Sequence, residues 1–271
     1  MKTKFKFILL TCLAQMISLD LFPQKLPNKQ TVSLWAPANL KIDGKTTEWN
    51  NHFQAYNRAV EIYYTLSNDD KNLYLTVQAT NRAIINKIIN GGISFSITPS
   101  AKKNQDAITI TYPVFESYAR PGLNTGKAFF EQSSTNIALA DSIVTLNNRR
   151  LEEKSKLIMV TGIREIDTLI SVYNDHNIKV AEKFDSKMAY TYELAVALAN
   201  LGLSTNKAGK FNYHIVLNGE SILPERAPVT SLKQVRLSPD MSDGLVAAKL
   251  GLEAQTTSPT DFWGEYTLAK N

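Results

Sequence analysis

The stretch Val60-Glu-Ile-Tyr-Tyr-Thr-Leu-Ser-Asn-Asp-Asp-Lys-Asn-Leu-Tyr-Leu-Thr-Val-Gln-Ala79 decides the fold class. Two runs rich in Ile, Val, Tyr and Thr, Val60–Leu66 and Leu73–Ala79, flank the polar turn Ser67 to Asn72, which is the pattern of an antiparallel hairpin. Alternation along the second run places Leu73, Leu75, Val77 and Ala79 on one face and Tyr74, Thr76 and Gln78 on the other. One face belongs to a core and the other is partly wet.

The same rhythm of short β-rich segments and polar turns continues outward from the hairpin. Strands are predicted at Ile93–Ile97, Ala107–Phe115, Leu157–Ile163, Leu169–Tyr173, Ile178–Phe184, Ala189–Val196, Phe211–Leu217 and Phe262–Leu268. Asn81 to Asn90 departs from it. Ile84, Ile85, Ile88 and Ile89 recur at helical spacing behind a capping Asn81 and before Gly91-Gly92, so one short helix is expected there. Many strands with one helix predict an all-β, antiparallel two-sheet sandwich. No internal repeat and no Gly/Ser/Pro-rich linker divides the chain, although the charged stretch Arg149 to Lys156 could mark two subdomains.

Several segments, in order, resemble carbohydrate-binding module family 9 and its immunoglobulin-like, DOMON-type relatives. Leu40-Lys-Ile-Asp-Gly-Lys-Thr-Thr-Glu-Trp49 is similar to the family's start, and Tyr64 to Ala79 to its strand, Asp-rich turn and Leu-Tyr-Leu strand. Tyr190-Thr-Tyr-Glu-Leu-Ala-Val196, Phe211-Asn-Tyr-His-Ile-Val-Leu217 and Phe262-Trp-Gly-Glu-Tyr-Thr-Leu268 resemble its later strands. The resemblance implies an immunoglobulin-like sandwich over residues 40–271, behind a lead-in at 25–39, and a non-catalytic, carbohydrate-binding function accessory to glycan handling. It also implies aromatic rings that sandwich a terminal sugar, one of them in a Trp-x-x-Asp-Ser-Val-type segment. The corresponding Asn90-Gly-Gly-Ile-Ser-Phe-Ser96 has neither the tryptophan nor the acidic residue. The residues themselves have structural readings too: Asp43-Gly44 forms turns, and Trp49 is expected in the core.

Lys2, Lys4 and Lys6 precede the apolar runs Phe7 to Leu13 and Met16 to Phe22, which reads as an export signal over residues 1–24. Asp20 interrupts the run before it reaches the roughly 20 apolar residues of a membrane span, so a periplasmic, surface or extracellular location and no span in the mature chain are expected. Cys12, the one cysteine, lies inside this signal. The mature chain then lacks disulfides, thiolate chemistry and cysteine-type zinc sites.

Loss of Lys2, Lys4, Lys6 and Asp20 with the signal lowers the formal charge from +5 to +3, and no long basic stripe exists, so nucleic acid is not an expected partner. His52, His176 and His214 form no metal-ligand motif and read as surface or strand-edge residues. G-x-S-x-G, P-loop and dinucleotide motifs are absent. Glu48, Glu116, Glu131, Glu193 and Glu265 read mostly as solvated strand carboxylates, and sequence brings no pair together for glycoside hydrolysis. Asp69 and Asp70 offer oxygens of the kind calcium takes, but without an EF-hand array the plain turn is preferred and no cofactor is expected.

The strongest candidate ligand surface is the loop Phe115 to Phe130. Tyr118 offers a ring for a pyranose face, and Arg120 and Asn124 offer hydrogen bonds to hydroxyls. A polysaccharide or oligosaccharide is the expected partner. The alternative is an envelope interaction module that kept the sandwich and lost the sugar site.

Overall fold

The computed structural model describes residues 25–99, 107–116, 119–126, 131, 135–206, 209–220 and 255–271. The segment read as an export signal, and Tyr118, lie outside them.

Among the described residues, eleven strands form two antiparallel sheets. The five-stranded sheet has the order β1-β2-β3-β9-β8, from Ala55–Asn57 (β1), Ile62–Asn68 (β2), Asn72–Ala79 (β3), Ile178–Phe184 (β8) and Tyr190–Ala197 (β9). The six-stranded sheet has the order β11-β10-β4-β5-β6-β7. It comprises Ile93–Pro99 (β4), Ile108–Val114 (β5), Leu157–Thr161 (β6), Leu169–Ser171 (β7), Lys210–Leu217 (β10) and Thr260–Thr267 (β11). The expected sandwich is therefore the observed one.

The hairpin forms as its alternation predicts. Leu73, Leu75, Val77 and Ala79 are all buried, and Leu66 pairs with Leu75 across the register. Its turn is held by Asp69, whose Oδ1 accepts from the amides of Lys71 and Asn72 at 2.7 Å each while Tyr74 Oη donates to Oδ2 at 2.6 Å. The two sheets meet over a continuous core in which Tyr64 (β2) and Tyr213 (β10) join hydroxyls at 2.9 Å. Phe262 of β11 packs on both rings. Gly264 is fixed by this packing, because a Cβ there would lie 2.2 Å from the Tyr213 ring.

Helix α1, Arg82–Gly91, is the helix expected from the isoleucine spacing: Asn81 Oδ1 caps the amide of Ala83 at 2.8 Å, and Gly92 ends it at φ 77°. A second helix, α2, Ile137–Lys154, follows β5 where no helix was expected. Its buried stripe is Ala140, Ile143, Asn147 and Leu151. A small residue and an amide take two of those four places, so the hydrophobic period is too diluted to read. The helix shields an edge: Asn148 accepts from the Phe184 amide at 2.7 Å and donates to its carbonyl at 2.9 Å, occupying ladder groups that β8 would otherwise leave open.

The lead-in seals the free side of β2. Gln30 accepts from the Leu66 amide at 2.7 Å and donates to its carbonyl at 2.8 Å, and Ala36 and Leu34 pair with Asn68. The next segment crosses the outer face of the five-stranded sheet. There the amides of Asp43 and Gly44 donate to Glu193 Oε2 at 2.9 and 2.8 Å, so Glu193 is buried rather than solvated. Gly44, at φ 76°, approaches so closely that a Cβ would sit 2.7 Å from that of Lys183. Trp49, in the 3-10 turn Thr47–Trp49 of the same segment, is buried as expected.

Candidate functional site

The outer face of the six-stranded sheet carries a row of polar side chains with an aromatic at its end. Alternation in β11 turns Phe262 and Tyr266 inward, which leaves Asp261, Trp263 and Glu265 facing out. Cross-strand pairing then sets Trp263 against His214, His214 against Ser96, Ser96 against Thr109, and Thr109 against Thr161. Every member of this row is partly or fully exposed.

Trp263 is 52% exposed although its side chain is held in place. The His214 ring lies against the indole with centroids 3.9 Å apart and planes 7° from parallel. His214 Nε2 donates to Asp261 Oδ2 at 2.7 Å, so the carboxylate orients the imidazole and the imidazole supports one face of the indole. Beside the stack, Ser96 and Thr109 join hydroxyls at 2.8 Å, and Asn212 and Glu265 face each other in the adjoining register, with Glu265 paired to Lys210 at 2.8 Å.

Such a surface holds a flat apolar ring next to donors and acceptors spaced by the strand interval of about 4.8 Å. It is suited to the C–H face and hydroxyls of a sugar. Among the described residues, no three His, Cys, Asp or Glu side chains converge to hold a metal ion, and no helix is long and apolar enough to cross a membrane.

Of the candidate loop residues, Arg120 and Asn124 are among the described ones. Asn124 is tied through its backbone: its amide donates to Asn147 Oδ1 at 2.9 Å and its carbonyl accepts from Asn147 Nδ2 at 3.3 Å. Together with a contact from Arg150 to the Gly122 carbonyl, this fastens the loop to α2. Arg120 is partly buried, with Nε enclosed and without a hydrogen-bond partner. Arg120 and Asn124 thus lie on the link between β5 and α2, three strands from the Trp263 end of the row in the strand order.

Sequence reading passed over Trp263 and treated His214 as a lone histidine. The parity of β11 was the available signal, since Trp263 falls out of phase with Phe262, Tyr266 and Leu268, which are buried. No protein-family model, curated protein or solved structure matches this chain.

Proposed function

We propose that the protein is an exported, non-catalytic carbohydrate-binding sandwich that presents the outer face of its six-stranded sheet to a glycan. The observation that carries this reading is Trp263, half exposed yet braced by His214 and Asp261 at the end of a row of hydroxyls. An exposed indole already fixed in place loses little further rotamer freedom on binding, so more of the stacking energy appears as affinity. The basic, apolar N-terminal run supports export. The five strand segments that resemble family 9 modules supply the glycan-handling context.

Affinity gel electrophoresis against a panel of plant, algal and host polysaccharides tests the proposal. Migration of the wild type is retarded by at least one polysaccharide, and Trp263→Ala runs free in the same gel while melting at the wild-type temperature. Absence of retardation on every gel, or equal retardation of the two proteins, contradicts it. If nothing retards the wild type and crosslinking in intact cells traps one specific protein on the sandwich, the interaction-module reading replaces it.

A further inference from the structure

The segment that crosses the outer face of the five-stranded sheet leaves one margin of that face open, and there Leu40 and Ile42 border a cavity of about 790 Å³. Its size lies within the range of small-ligand pockets. The strand register builds it as a furrow. Tyr74 of β3, Ala195 of β9 and Lys179 of β8 form one cross-strand row on the outer face, and Asn72 and Ala197 pair in the next. Ala197 also meets Asn177, whose carbonyl accepts from its amide at 3.2 Å. The two alanines put only methyl groups on the floor, while longer side chains rise from the strands on either side. From β3 to β8 the furrow spans two strand intervals, about 10 Å, which is room for one pyranose ring.

Its walls are fixed in place. Tyr74 donates to Asp69 Oδ2 at 2.6 Å, so its ring is held upright at the edge of the floor with its hydroxyl already engaged. The hairpin turn is pinned across the end of β9, where the Leu198 amide donates to the Lys71 carbonyl at 2.7 Å. Asn177 adds an amide to the lining, and Ser204 a hydroxyl whose oxygen accepts from the Asn206 amide and whose proton is left to donate.

The charges around the furrow are one-sided. Lys41, Lys71 and Lys179 line it against Asp70 alone. Elsewhere Lys45 is paired with Asp43, Arg149 with Glu153 and Lys210 with Glu265, whereas none of the three furrow lysines has a carboxylate partner among the described residues. Three like charges around one hollow repel one another, and an anion among them relieves that repulsion. A bare inorganic anion would leave the methyl floor, Leu40, Ile42 and the Tyr74 ring unmatched. A sugar ring that carries an acid group meets both parts: its C–H face lies on the alanines beside Tyr74, and its charge is taken by ammonium groups, which act as point charges.

We infer that the furrow over Ala195 and Ala197 is a second binding site, specific for an acidic sugar, with the pyranose on the alanine floor and its carboxylate or sulfate among Lys41, Lys71 and Lys179. It lies on the other sheet from Trp263 and does not rest on the reading of that row.

The test is an amide chemical-shift titration of the full mature chain, at constant ionic strength, with sodium D-glucuronate and sodium D-glucose 6-sulfate. D-glucose and sodium sulfate serve as the probes that lack the charge and the ring. Saturable shifts at Lys71, Asn72, Ala195, Ala197 and Lys179 with either acid, and none with glucose or sulfate, are the expected result, and the tighter acid identifies the charged group. Lys71→Gln and Lys179→Gln each weaken that binding several-fold, and the double variant does so at least about tenfold. Ala195→Leu, which fills the floor, abolishes it; both lysines are exposed, so their variants keep the inference open to refutation if Ala195→Leu fails to fold. Trp263→Ala binds the acid as the wild type does, even where it has lost polysaccharide retention. Shifts that are absent with both acids, matched by glucose or by sulfate, or unchanged in affinity in the double lysine variant overturn the inference.

Discussion

The two sheets offer equivalent outer rows and put them to opposite uses. Across the five-stranded sheet the central row runs Thr65, Thr76, Glu193, and each residue is at most 2% exposed. Across the six-stranded sheet the row runs Trp263, His214, Ser96, Thr109, Thr161, and each remains open. The difference comes from the segment that follows the lead-in. Its Asp43-Gly44 turn closes on Glu193, and its Gln54 amide reaches Thr65 Oγ1 at 3.1 Å, so polar outer positions become anchors for the chain itself. An exposed polar strand face is thus no evidence of a ligand surface until what lies over it is known. The uncovered row is the one that ends in an aromatic ring.

Substitutions that treat the two faces as interchangeable should fail unequally. The largest effect belongs to the covered face: Trp49→Ala removes a buried indole and is expected to destabilise by about 3–5 kcal/mol in denaturant unfolding, with glycan affinity of the folded fraction unchanged. If Trp49→Ala melts normally and loses binding, the roles of the two faces are reversed.

Two desolvated carboxyls, Glu193 on the covered face and Glu182 in phase with the inward Ile178 and Phe184 of β8, carry a pH dependence. Burial pushes Glu193 up to about 7 despite the two amides donating to it, and burial does the same to Glu182. Each carboxyl holds its proton more tightly folded than unfolded. Stability is therefore greatest below the unfolded value of about 4.3, declines as pH rises toward 7, and is lowest above it. Glu182→Gln should flatten part of this decline and raise stability at pH 8 by about 1–3 kcal/mol, read from urea midpoints at pH 5 and pH 8. A midpoint that rises with pH in the wild type refutes the assignment.

On the open face the expected effects fall on binding. Trp263→Ala weakens glycan binding by about 1–3 kcal/mol with unfolding changed by less than about 0.5 kcal/mol, because a surface ring contributes little to the core. Asp261→Asn, which keeps shape but weakens the bond that orients His214, has the smallest effect, about 0.5–1 kcal/mol in affinity by calorimetric titration.

How much of this was legible in the sequence varies with how local the cause is. The hairpin is readable because alternation and turn chemistry lie within twenty residues, and α1 because four isoleucines, a cap and a terminal glycine fall in one window. Helix α2 is not readable, since its buried face spends two places on Ala140 and Asn147, and the use of Asn147 appears only once Asn124 is beside it. The Trp263 stack is less legible still. Parity marks the indole as outward, but His214 and Asp261 are 47 residues apart, and only strand pairing brings the imidazole between carboxylate and indole. The loop at Arg120 and Asn124 has the composition of a ligand surface, yet at Asn124 the backbone contacts fasten a helix.

The central claim is that the uncovered row, and not its covered counterpart, meets a glycan. An amide chemical-shift map with a neutral oligosaccharide from the polysaccharide that retards the protein addresses it most directly. Saturable shifts at Ser96, Thr109, His214 and Trp263, including the Trp263 indole N–H, with Thr65, Thr76 and Glu193 unmoved, are the predicted result. Shifts centred on Thr65, Thr76 and Glu193, or confined to Arg120 and Asn124, contradict it.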